Sequence, residues 1–136
     1  MTRTVLHPGG WARPRGYVNG VAAQGRTVFV AGQVGWNARS EFESDDLALQ
    51  VRQALANVVA VLREAGAGPG DITRMTWYLI DKREYLARAK DIGAAFRDVI
   101  GHYEIPMTAL QVVALIEDRA KVEIEVTAVL PPPREV

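Results

Sequence analysis

Between Lys121 and Val129 the chain alternates strictly between two kinds of residue. Lys121, Glu123, Glu125 and Thr127 occupy one set of positions, and Val122, Ile124, Val126 and Ala128 the other. Side chains alternate across an extended strand, so this segment has one aliphatic and one charged face. Pro106 opens a preceding strand, Met107 to Leu115, and Glu117-Asp118-Arg119 reads as an acidic turn. The two strands together form a terminal strand pair.

The remaining segments supply the partners. Thr2 to Leu6 reads as a short strand, broken by His7-Pro8-Gly9-Gly10. A loop rich in Pro and Arg follows, from Trp11 to Gly16. Tyr17 to Ala23 and Thr27 to Ala31 flank Gln24-Gly25 and read as a hairpin. Gly32 and Gly35 predict a bulge or a close backbone approach. Ser44 to Glu64 carries Leu47, Val51, Leu55, Val58 and Leu62 at helical spacing. Ser44, Asp45 and Asp46 supply its cap, and Gly66 its stop. Ile72 to Ile80 is a strand, and Glu84 to Ile100 a second helix with Leu86, Ala89, Ile92, Phe96 and Ile100 inside. Gly93 costs that helix about 1 kcal/mol relative to alanine, which predicts a close helix–sheet contact. Pro131-Pro132-Pro133 ends the last strand, leaving residues 131–136 as a tail. The order predicts one α+β domain over residues 1–136, with two helices on one face of a mixed or antiparallel sheet.

Composition narrows the function. Sixteen basic and sixteen acidic residues balance to zero, with no block of like charge, so the footprint of a nucleic-acid binder is missing. Cysteine is absent, which removes disulfides, thiolate ligands and a cysteine nucleophile. His7 and His102 fit no metal-ligand spacing. No metal and no cofactor are expected. No apolar run has the length of a leader or a spanning helix, so the expectation is a soluble, cytoplasmic protein without a membrane partner.

The strands Thr27–Ala31, Ile72–Ile80 and Met107–Leu115 are apolar on both faces. Two helices cover one face only. A second copy of the same sheet would cover the other, which predicts a homo-oligomer; the alternative is a half-apolar, solvated face. Glu123 then either projects into an inter-subunit cleft or is solvated. Glu125 reads as a solvated residue of an edge strand.

Several pieces, in order, resemble the Rid family (RidA/YjgF, also called endoribonuclease L-PSP). They are Gly16-Tyr17, Val28 to Gly35, Gln53-Ala54-Leu55-Ala56-Asn57, Ala65-Gly66-Ala67 with Asp71-Ile72, Leu79-Ile80-Asp81, Pro106, and Lys121 to Ala128. The resemblance implies a six-stranded sheet with two helices, similar to one type of chorismate mutase, assembled as a homotrimer. It implies small-molecule clefts between subunits and hydrolysis of imines and enamines derived from amino acids to keto acids and ammonia. Carried over by residue, it makes Glu123 the group that handles water and Tyr17 the group that orients substrate. Gly32, Thr108, Leu110, Ala89, Trp36 and Met107 become substrate-binding positions.

The chain also departs from the pattern. Thr108 stands where the family has the arginine that holds the substrate carboxylate. Ala31 replaces a common serine, Leu110 a frequent cysteine, and Ala89 an asparagine. Losing a bidentate charge-assisted contact costs on the order of a hundredfold in affinity. Arg13, Arg15 and Arg39 are the loop arginines available as substitutes. Trp36, Met107 and Leu110 suggest a larger apolar pocket. Trp77 reads either as part of it or as sheet core, and Trp11 as pocket or loop anchor. The expected function is an imine/enamine deaminase on a substrate other than a simple 2-imino acid; the alternative is a non-catalytic binding trimer.

Overall fold

The computed structural model describes residues 3–133. Thr2 and residues 134–136 of the expected tail lie outside the described residues; residues 131–133 carry no regular structure. The elements are β1 (Arg3–Leu6), β2 (Gly20–Ala23), β3 (Arg26–Val34), α1 (Leu47–Glu64), a 3-10 turn (Pro69–Asp71), β4 (Ile72–Leu79), α2 (Lys82–Ala87), α3 (Ala89–Val99), β5 (Met107–Gln111) and β6 (Val122–Leu130).

The helix α1 forms where the periodicity places it. Asp46 caps it, its carboxylate accepting from the Leu49 N–H at 3.0 Å. Gly66, at φ 76°, closes the other end. Val51, Leu55, Val58 and Leu62 are fully buried, each contributing about 1.5–3 kcal/mol relative to exposure. They pack on the sheet face formed by Met75, Trp77 and Leu79 of β4 and Val122, Ile124, Val126 and Ala128 of β6. The alternation in β6 is reproduced residue by residue, aliphatic positions buried and polar ones half-buried.

The α+β class and the mixed sheet stand, with corrections to the wiring. The six strands form a four-stranded sheet, ordered β3-β6-β4-β5, and a separate pair β1-β2. The expected hairpin of Tyr17–Ala23 with Thr27–Ala31 does not form: β2 pairs with β1, and β3 with β6. Gly25 explains the redirection. It has φ +147°, and a Cβ on it would lie 1.7 Å from the Leu130 carbonyl oxygen. The turn is therefore pressed onto the end of β6, and β3 runs back along that strand.

The terminal strand pair is not a pair either. β4 lies between β5 and β6, antiparallel to β6 and parallel to β5. Parallel neighbours need a long crossover, and α2 with α3 provides it. β5 stops at Gln111, short of Leu115, because its partner stops at Leu79. Beyond it the Val112 N–H caps the Leu79 carbonyl at 2.8 Å.

The expected second helix is broken at Arg88 (φ −102°, ψ 15°) into α2 and α3. No glycine or proline causes the break. The Arg88 guanidinium reaches back to the capping carboxylate of Asp46 at 2.5 and 3.3 Å and to Asp91 at 3.2 Å. The helix bends so that one arginine can tie its own start to the start of α1.

Gln50 does similar work at the other end of the sheet. It is buried and satisfied, donating to the Ser44 and Arg119 carbonyls and accepting from the Lys121 N–H. Burying a polar group without partners is costly; here the partners fix where β6 begins.

Candidate functional site

The sheet face opposite the helices carries Phe29, Thr76, Tyr78, Leu110, Glu123, Glu125 and Thr127. Register puts Thr76 beside Thr108 and Glu125, and Tyr78 beside Leu110 and Glu123. Phe29, opposite Thr127, is 78% exposed. The two-faced character expected of these strands is therefore present, and within one chain this face is uncovered.

Glu123 and Gly32 meet on this side. β3 slips register between Val30 and Gln33, which is the expected bulge. At Gly32 a Cβ would lie 2.7 Å from the Glu123 Cδ, 2.9 Å from its Cγ and 3.0 Å from its Oε2. The acid rests on bare backbone that only glycine leaves free. The segment is clamped from behind: Asn57 of α1 donates to the Val34 and Trp36 carbonyls at 3.1 and 2.8 Å. A Cβ on Gly35 would lie 2.6 Å from the Gln50 carbonyl oxygen, so strand and helix backbones touch there. Among the described residues the Glu123 carboxylate has no hydrogen-bond or ion-pair partner.

Glu125 behaves differently, and its reading as a solvated edge residue is corrected. β6 is flanked on both sides, so it is not an edge. Tyr78 donates its hydroxyl to Glu125 Oε1 at 2.5 Å. That bond, followed by burial, pushes the Tyr78 phenol up from its ordinary value. One of the two neighbouring acids is thus engaged and the other is left free.

A second feature lies at the β5 edge. A cavity of about 890 Å³ opens between β5, α3 and the loop before β2. Tyr17, Ala89, Met107 and Thr108 line it; Gly32, Glu123, Leu110 and Trp36 do not. Leu110 stands on the open sheet face beside Tyr78. Trp36 packs against Phe42, the ring centroids 5.7 Å apart and the planes tilted by 54°, and it does not line the cavity. The expected site residues therefore fall into two groups, an acid with its glycine on the sheet face and Tyr17 with Ala89 and Met107 in the cavity. Thr108, on the edge strand, belongs to both, standing beside Thr76 on the open sheet face and lining the cavity as well.

Trp77 proves to be core and cavity wall together. It is 1% exposed and packs on Tyr85 and Phe96, yet it lines the cavity, and its Nε1 has no acceptor. Trp11 sits out on the loop, its carbonyl oxygen 2.9 Å from His7 Nε2. Gln111, three positions on along β5, faces away from Thr108 and accepts from the Lys82 N–H at the start of α2. Of the loop arginines, Arg39 is paired with Glu41 at 3.7 Å, whereas Arg13 and Arg15 line the cavity.

The sequence reading missed Arg97. The close helix–sheet contact expected at Gly93 is absent: a Cβ there would meet only the flexible end of Arg97, its Nη1 at 3.2 Å. The signal was present as spacing, since residues four apart share a helix face. Among the described residues no group of three potential metal ligands occurs, and no helix is long and apolar enough to cross a membrane.

A family model described as Endoribonuclease L-PSP matches residues 12–130. The chain belongs to this family. It is 30% identical over 129 residues to the 2-iminobutanoate/2-iminopropanoate deaminase of Escherichia coli strain K12, covering 95% of this chain and 98% of that protein. Among solved structures, it is similar to YyfB of Yersinia pestis, a Rid-family protein of unknown function, with 35% identity and a TM-score of 0.83 over 96% of this chain and 100% of that one. Escherichia coli TdcF with bound serine matches at 29% identity and a TM-score of 0.67, over 93% and 98%. The Rid fold expected from the sequence is therefore present, and one relative of this fold, Escherichia coli TdcF, holds a bound serine.

Proposed function

We propose that this Rid-family protein is an imine or enamine deaminase, working in clefts between the subunits of a homotrimer. The free Glu123 carboxylate, resting on Gly32 and clear of the Tyr78–Glu125 bond, carries this reading. The reaction is a hydrolysis. An enamine first tautomerises to its imine. Water then adds to the C=N carbon, Glu123 taking the water's proton as it attacks and passing it to the nitrogen, which gives the neutral carbinolamine and restores the carboxylate. Collapse of the carbinolamine expels ammonia and leaves a keto group. Tyr17 orients the substrate from the cavity side.

The split between Glu123 and Tyr17 is what an inter-subunit site requires. One copy contributes the sheet face, and its neighbour contributes the cavity mouth. Packing these faces together also covers Phe29. The whole chain acts as one domain, in the cytoplasm, with no cofactor and no nucleic-acid partner. The substrate is other than a simple 2-imino acid, because Thr108 offers one neutral hydrogen bond where a charged anchor would serve such an acid.

Thr108 also supports a second reading, a trimer that binds a metabolite without turnover. Enzymatically generated 2-iminobutanoate, with keto-acid release as the readout, separates the two. Turnover above background that disappears in Glu123→Ala supports the enzyme. Absence of turnover across a series of imines favours the binder. Gain of turnover in Thr108→Arg would place the deficit at the anchor alone.

A further inference from the structure

The cavity at the β5 edge has an electrostatic character that the net-neutral chain does not predict. Arg13, Arg15 and Arg97 line it together with His7 and His102, and Glu104 is the one acid among the lining residues. None of these three arginines makes a side-chain hydrogen bond or ion pair within the described residues, whereas Arg39, Arg52, Arg88 and Arg119 are all paired with acids. The Arg97 guanidinium folds back along its own helix, its Nη1 3.2 Å from where a Cβ on Gly93 would sit. Below this rim the wall is apolar and aromatic, from Tyr85, Phe96, Met107 and the buried Trp77. The Trp77 indole N–H, buried without an acceptor, is a donor waiting for one.

We propose that this cavity binds an organic anion with an aromatic or long apolar body, its carboxylate held by Arg97 with Arg13 and Arg15 and its body on the Trp77–Phe96 wall. This rests on the deaminase reading only for the statement that the anion is the substrate. On that reading the cationic anchor absent at Thr108 has moved to the other side of the rim, and selectivity has moved from small acids to bulky ones. The volume agrees, since about 890 Å³ falls in the range of pockets that enclose drug-sized ligands and far exceeds a pyruvate-sized acid.

Calorimetric titration tests the assignment with an unreactive pair, hydrocinnamate and its neutral amide. The acid is expected to bind roughly tenfold or more tightly than the amide and than pyruvate. Arg97→Gln, and separately the double change Arg13→Gln with Arg15→Gln, should each weaken the acid by about tenfold and the amide by much less, so that the preference for the acid shrinks. An unchanged urea midpoint reports an intact fold. Trp77→Phe should remove the fluorescence change that accompanies binding. Equal affinity for acid and amide, full acid affinity in the arginine variants, or no binding of hydrocinnamate would each overturn the proposal. Turnover of an imine with the arginine variants unaffected would leave the deaminase standing and the anion site refuted. Arginine-dependent binding with no imine turned over would do the reverse.

Discussion

Replacing Gly32 by alanine separates the site from the fold. The new Cβ would lie 2.7 Å from Glu123 Cδ and 2.9 Å from its Cγ. Carbon atoms in contact sit about 3.5–4.0 Å apart, so the acid must retreat by roughly 1 Å. The backbone has no objection, because Gly32 does not occupy the left-handed region. The obstacle is the end of a flexible side chain, and an off-rotamer displacement costs about 0.5–1.5 kcal/mol. Urea unfolding of Gly32→Ala should therefore show a loss of about 1 kcal/mol and an unchanged slope. On the proposed deaminase reading, turnover should suffer far more, since a misplacement of this size costs about a hundredfold. The paired assays are urea unfolding and keto-acid release from an imine generated in place. Retention of turnover to within about twofold would refute the role given to the Gly32–Glu123 contact. So would a stability loss of several kcal/mol, which would make the contact structural.

Gly25→Ala should destabilise by roughly 2–4 kcal/mol in the same urea assay, because its Cβ meets the Leu130 carbonyl oxygen, which is backbone and cannot step aside. Gly93→Ala should raise the urea midpoint, gaining about 0.5–1 kcal/mol of helix propensity, while displacing Arg97 and weakening hydrocinnamate binding. The Arg88 guanidinium, and next the Leu49 N–H, hold the Asp46 carboxyl below its usual range. A depressed folded-state value means that this contribution is present above the unfolded value of about 4 and lost as pH falls through the folded one. The urea midpoint should therefore drop less steeply below about pH 4 in Asp46→Asn than in the parent, and parallel profiles would contradict the assignment. On the proposed trimeric assembly, Phe29→Asp should yield a sedimenting monomer; an unchanged sedimentation coefficient would put the subunit interface elsewhere.

What the sequence disclosed follows from range. The alternation in β6 and the caps of α1 are local signals, and both appear where they were read. The bulge after Val30 was legible because two glycines mark it. Strand partners were not legible, because nothing near Met107 says that its neighbour is Met75 rather than the strand that follows. The break at Arg88 was hidden for the same reason, since its cause is Asp46, forty-two positions earlier. At the site, the two groups of residues were each readable, but their separation within one chain depends on β4 lying between β5 and β6.

That order has a further consequence for how the chain is made. β6 is the last strand among the described residues, yet it lies between β3 and β4 and pairs with both. Arg26 finds its partner only at Leu130. During synthesis β3 and β4 emerge from the ribosome with no strand between them, and their unpaired edges stay open until the final segment arrives. Such long-range pairing raises contact order and slows folding, and open edges invite association with other chains. A nascent chain arrested before Val122 should accordingly depend on chaperones, while one extended past Leu130 can close its sheet at once.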